Sequence, residues 1–211
     1  MTLRLYGYWR SSTSYRVRIA LALKGLDYAQ SPVNLLTGEH RSEPYRAINP
    51  HGTVPMLETE DGSITQSLAI LDWLEATHPE PSLLPDRDAT LCRELYYAVA
   101  TELHAPLNPS VLKRLFGADQ AAKEDFYQFI IHRTLGPVEQ RLSAHDWHTA
   151  DLPFGQPTLF ETVLVPQIYN ARRWSVELAD FPQLTAIDAH CNTLPAFQQA
   201  HPDNQPDAQK A

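Results

Sequence analysis

The spacing of apolar positions changes character several times along the first eighty residues. Leu3 and Leu5 alternate with Arg4 and Tyr6 in LRLYGY, the period of two that marks a strand. From Ser14 onward, Val17, Ala20, Leu21 and Leu23 fall at helical spacing, and Gly25 suits a C-cap. YAQSPVNL reads as a second strand, and PMLETEDGSIT as two short strands about an Asp61-Gly62 turn. SLAILDWLEATHP is helical again and ends at Pro79. The predicted order is β-α-β followed by β-β-α.

HPEPSLLPDRD, with Pro79, Pro81 and Pro85, has no period and reads as a linker. From Ala89 the pattern is helical in ATLCRELYYAVATELH, KEDFYQFIIHRTLGPVEQRLSA, PTLFETVLVPQIYNARRW and FPQLTAIDAHCNTLPAFQQA. No convincing strand follows about residue 90. The expected architecture is an α/β domain over residues 1–80, a linker over 81–88 and an all-helical domain over 89–211. The polar tail HPDNQPDAQKA is expected to pack poorly.

Composition narrows the function. The formal net charge of -8 argues against a non-specific nucleic-acid binder, which needs a basic face. No apolar run approaches the roughly 20 residues of a membrane helix, and MTLRLYGYW does not read as a signal peptide. Two cysteines, Cys92 and Cys191, do not make a disulfide framework and fit a reducing compartment. A cytoplasmic protein is expected. The absence of a CxxC pair disfavours disulfide exchange. His145 and His148, in HDWH, lack a third ligand nearby and read as solvated, so no metal is expected.

Ser11, Ser12, Thr13 and Ser14 stand where the first predicted helix begins. One hydroxyl caps a helix, and four exceed that need. The partial positive charge of a helix start, with a free hydroxyl, also stabilises an anion such as a thiolate. Pro55, at the start of a strand, is either an ordinary trans proline or a cis turn. The cis form would leave the Val54 backbone free to pair with an extended peptide. Gln66 and Ser67 either begin a capped helix or hold a carboxylate at its end.

Taken together, SSTSYRVRIAL, LALKGLDY, INPHGTVPML, QSLAILDWLE, LVPQIYNARRW and AFQQAHPDNQPD resemble the zeta class of cytosolic glutathione transferases, which includes maleylacetoacetate isomerases. The resemblance spans essentially the whole chain. It implies a thioredoxin-like domain with a cis proline, an all-helical second domain, a homodimer and glutathione as cofactor. It implies that Ser11 activates the glutathione thiol, with Ser12, Thr13, Ser14, Tyr15 and Arg16 lining the thiol end. His40 would meet the glycine end, Val54-Pro55 the cysteinyl backbone, and Gln66 and Ser67 the γ-glutamyl carboxylate. His104, Asn108, Pro109 and Ser110 would contact glutathione from the helical domain. Arg10 and Arg173 would hold a dicarboxylate substrate.

The implied reaction is cis–trans isomerisation of maleylacetoacetate, with maleylpyruvate isomerisation, or conjugation and dehalogenation of small α-halo acids, as alternatives. A binding protein without turnover is the reading from another class, and the intact Ser11, Val54-Pro55, Gln66-Ser67 and Arg173 weigh against it. Three positions depart from the class pattern. Thr13 replaces the usual cysteine, His104 a familiar glutamine, and Glu161 the aspartate of a box that here reads Thr158-Leu159-Phe160-Glu161. Glu161 still completes a capping box.

Overall fold

The computed structural model describes residues 3–147 and 151–209. Its first unit is organised around β1 (Leu3–Gly7), which lies inside a four-stranded sheet of order β2-β1-β3-β4. β1 pairs in parallel with β2 (Tyr28–Pro32) and antiparallel with β3 (Met56–Thr59), with Leu5 opposite Leu57. β4 (Gly62–Thr65) returns along β3 after the Asp61-Gly62 turn, where Gly62 has φ 131. Parallel strands need a crossover, and α1 (Ser12–Leu23) supplies it. A six-residue α2 (Glu43–Ile48) follows a 3-10 turn at Glu39–Arg41. Neither is expected from the pattern, since so short a helix shows no complete apolar face. Gly52 sits beneath this turn at φ +58, and a Cβ there would stand 2.9 Å from the His40 carbonyl oxygen. α3 (Ser67–Thr77) completes the βαβ-ββα order.

The second unit, Leu83–Thr193, contains helices joined by turns and loops and no strand among its described residues. α4 (Ala89–Tyr97) runs into a π-helical stretch at Ala98–Leu103, which the sequence pattern does not distinguish from continued α-helix. α5 (Pro109–Phe116) is unexpected from the apolar spacing. α6 (Gln120–Ser143) and α7 (Leu159–Arg173) each carry an internal proline, Pro137 and Pro166. α8 (Pro182–Cys191) is capped from a distance: buried Glu139 of α6 accepts from the backbone N–H groups of Gln183 at 2.9 Å and Leu184 at 3.0 Å.

The C-terminal segment departs from expectation. The single helix read over 181–200 divides into α8 and α9 (Pro195–Ala200), and residues from Leu194 onward belong to the first unit, not the second. α9 packs on α1. The Arg18 guanidinium, 4% exposed, donates to the carbonyls of Trp9 at 2.9 Å and Ala200 at 3.0 Å. Further on, Asp207 accepts from the Trp9 N–H at 3.0 Å, and Gln205 accepts from Gln30 at 3.0 Å. The tail is polar because its polar groups bind the first unit, so the expectation of poor packing is corrected for its described part.

The capping box expected at the start of α7 is present. The Thr158 N–H and hydroxyl donate to the Glu161 carboxyl at 2.7 and 2.6 Å, and Glu161 is fully buried. Burial pushes its pKa up to about 7, against the opposing pull of the Thr158 hydrogen bonds. Folding therefore favours the protonated form. Its contribution is complete below the unfolded value of 4.5 and is lost as pH rises through about 7. Glu161→Gln keeps an acceptor that cannot ionise. Between about pH 5 and about pH 8 the Tm of the wild type should fall relative to that of the variant by roughly 4–10 °C, read by parallel thermal melts.

Candidate active site

β1 ends at Gly7, and a turn through Tyr8, Trp9 and Arg10 delivers the chain to α1. Ser11 is the N-cap, with φ -72 and ψ 120, and its Oγ accepts from the Ser14 N–H at 3.2 Å. The twelve-residue helix behind it directs partial positive charge at this hydroxyl. Ser11 and Thr13 are half-buried, whereas Ser12 and Ser14 are buried. The hydroxyls of Ser11 and Thr13 lie 2.8 Å apart, and Thr13 donates to the Val54 carbonyl at 2.9 Å. The Val54–Pro55 peptide bond is cis. A second cis bond, Glu80–Pro81, was not expected.

The first turn of α3 forms the other half of this arrangement. Gln66, exposed, holds φ 72 and ψ 116, a conformation that non-glycine residues rarely adopt. Ser67 is the first helical residue rather than the cap, and its buried Oγ accepts from Arg16 Nη1 at 3.3 Å. Arg16, 1% exposed, thus stands behind Ser67 and does not line an open surface. Ser14 and Tyr15 are likewise enclosed, which corrects the expectation that they face a ligand. The Ser14 hydroxyl accepts from the Tyr8 N–H at 3.3 Å, and Tyr15 packs edge-on against His201. They fix the turn from inside because α1 is covered on nearly all sides. His40 lies in the 3-10 turn and accepts from Arg41 Nε at 3.1 Å. Burial, with the Arg41 charge beside it, lowers its pKa and disfavours the protonated ring.

The remaining candidates belong to the second unit. His104 is half-buried and follows the π-helical stretch. Asn108 caps α5, accepting from the Ser110 N–H at 3.0 Å and hydroxyl at 2.7 Å, with Pro109 between them as the first helical residue. The two adjacent arginines ending α7 diverge. Arg172 donates to Asp188 at 2.5 Å, whose side chain is 2% exposed. Arg173 is exposed, donates to Asn170 at 3.3 Å and lies over the Tyr169 ring at 5.9 Å. Arg10, in the first unit, lies over the Trp9 ring at 5.2 Å.

Cys92 and Cys191 are buried free thiols whose pKa values burial raises, so neither is a nucleophile at neutral pH. His145 stands 3.8 Å from Asp88 and packs on Phe154, and His148 lies outside the described residues. The Thr13–Val54 and Arg16–Ser67 bonds span 41 and 51 residues, and nothing local in the sequence signals either.

Residues 5–82 match the glutathione S-transferase N-terminal domain. Maleylacetoacetate isomerase of Rhizobium meliloti (strain 1021) is 45% identical, over 94% of this chain and 95% of its own length. A holo structure of maleylpyruvate isomerase, a bacterial zeta-class glutathione S-transferase, superposes with a TM-score of 0.92 at 40% identity, covering 98% of this chain and 100% of that one. The structure of maleylacetoacetate isomerase from Anaeromyxobacter dehalogenans 2CP-1, with dicarboxyethyl glutathione and citrate bound in its active site, gives 0.87 at 41% identity, covering 99% and 98%.

The divergence of the α7 arginines separates a structural cation from a surface one. Arg172→Ala leaves the buried Asp188 carboxylate without this partner and should cost roughly 1–3 kcal/mol of stability, discounted because Arg172 is itself half-exposed. Arg173→Ala should change stability by less than about 0.5 kcal/mol in the same denaturant titration.

Proposed function

The chain belongs to the zeta-class glutathione transferase family, the family of maleylacetoacetate isomerases, and from that premise we propose a glutathione-dependent isomerase that converts maleylacetoacetate to fumarylacetoacetate. The observation that carries this reading is the half-buried Ser11 hydroxyl at the start of α1, one hydroxyl away from the Val54 backbone.

The residues present fit glutathione. Among the described residues no hydrogen bond engages the Val54 N–H, so Val54 offers an extended peptide its N–H, while its carbonyl accepts from Thr13. Ser67 and the first turn of α3, backed by the buried Arg16 cation, suit a carboxylate. Ser11 suits a sulfur anion, because its O–H is a donor and the helix end favours negative charge. When bound, glutathione supplies the sulfur nucleophile that adds to the cis double bond and leaves again after rotation. The chain's own part is to hold the peptide, to bring the thiol toward its ionised form and to position the acceptor. Arg10, beside Ser11, is the cation of this unit for the substrate's carboxylates and for charge that develops on the neighbouring carbonyl. In an acidic chain such a local cation is needed against the general field.

His40, Gln66, His104 and Asn108–Ser110 keep their glutathione-contact roles as part of this proposal, as Arg173 keeps its role toward substrate. A homodimer and a cytoplasmic location belong to the same reading. Likeness to the maleylpyruvate isomerase structure favours the shorter maleylpyruvate as a second substrate reading.

Ser11→Ala should lower isomerase turnover by roughly a hundredfold or more, the scale of one lost transition-state hydrogen bond. Glutathione should be recovered unreacted after many turnovers of the wild type. Wild-type turnover in Ser11→Ala, or consumption of one glutathione per product, would count against the mechanism. Arg10→Ala should raise KM for the dicarboxylate about tenfold while leaving conjugation of an uncharged electrophile nearly unchanged.

A further inference from the structure

The two half-buried hydroxyls beside Val54 form a chain with a defined direction. A carbonyl oxygen only accepts, so in the 2.9 Å contact Thr13 donates to Val54. The single Thr13 hydrogen is then spent, and in the 2.8 Å contact with Ser11 the Thr13 oxygen is the acceptor. Ser11 is therefore the donor there, while its own oxygen accepts from the Ser14 N–H at 3.2 Å. The chain runs Ser11 to Thr13 to Val54. Its first proton points at Thr13, not at a ligand's sulfur.

We propose that Thr13 is a positioning residue that couples the Val54 carbonyl to the Ser11 hydroxyl, so that a peptide N–H arriving at Val54 reverses the chain and turns the Ser11 proton toward the thiol. The proposal rests on the glutathione reading above. The incoming N–H takes the place of the Thr13 hydroxyl at the carbonyl. Thr13 rotates about its Cβ–Oγ bond and donates to Ser11, and Ser11 donates to sulfur. No proton changes its oxygen, and the thiol proton leaves to water. Ser11 keeps its bond from the Ser14 N–H throughout, so the helix cap is not disturbed.

A hydroxyl that accepts a further hydrogen bond is a stronger donor, so the reversed chain favours the sulfur anion more than Ser11 acting alone. Cysteine, the residue usual at this position in the class, is a weak donor at longer range, and threonine gives this chain a stronger coupling. The device also selects for a peptide: a simple thiol that brings no N–H to Val54 leaves Thr13 donating to the carbonyl and the Ser11 proton turned away.

The test measures the pKa of the bound thiol from the ultraviolet absorbance of its thiolate at saturating glutathione, with affinity from quenching of tryptophan fluorescence. Thr13→Val removes the hydroxyl and keeps the shape, and Thr13→Ala serves if the valine variant does not fold. Either should raise the bound-thiol pKa by roughly half a unit or more, about a threefold smaller thiolate fraction. Affinity should change less than that fraction, and Thr13→Ser should restore the wild-type value. An unchanged or lowered pKa in the hydroxyl-free variants, or a serine variant that resembles them, overturns the coupling while leaving the glutathione reading intact. A wild type that binds glutathione without a thiolate signal, or does not bind it, overturns both.

Discussion

The Arg18 guanidinium is the contact on which the arrangement of the first unit depends. It is buried, and its donors meet backbone carbonyls from two distant parts of the chain: Trp9 in the turn before α1, and Ala200 at the end of α9. A buried cation is costly unless its hydrogen bonds are met, so both segments must be in place for this part of the core to be stable. The Asp207 bond to the Trp9 N–H fastens the same turn from the tail. Ser11 is two residues beyond Trp9. The position of the candidate nucleophile-activating hydroxyl is thus held by residues nearly two hundred positions later in the chain.

The same helix carries a second buried arginine. Arg16 reaches Ser67 and places positive charge behind the first turn of α3, while the end of α1 presents its own partial charge at Ser11. In a chain of formal charge -8 these sources act locally because they are shielded from solvent. Under the proposed function, anion affinity would come from helix ends and interior cations, not from a basic surface. The unusual backbone of Gln66 falls at this point, where the chain enters α3.

The second unit follows the same rule of satisfying buried charge from afar. Glu139 caps α8 across more than forty residues, and Arg172 meets Asp188. Where no charged partner is supplied, the interior shifts the equilibrium instead, as the raised pKa values of Glu161 and both cysteines show.

Local pattern was enough for the βαβ-ββα order, the helical second half, a hydroxyl cap at the start of α1, the box at Thr158 and Glu161, and the motifs that carry the family resemblance, because each depends on spacing within a few residues. Short helices α2 and α5 and the π-helical stretch were not legible, since a turn or two leaves no distinctive period. Nor was the fate of the tail, whose polar residues look the same in sequence whether they meet water or Trp9 and Gln30. Residue types at the candidate site were evident, but not their orientation. Ser14, Tyr15 and Arg16 stand beside Ser11 in the chain and yet face inward, because α1 is packed by α3 and α9. The sequence by itself determined which groups stand at the start of α1. Tertiary structure decided which of them remain accessible and which carbonyl they meet, because hydrogen-bond partners and burial are set by segments that only folding brings together.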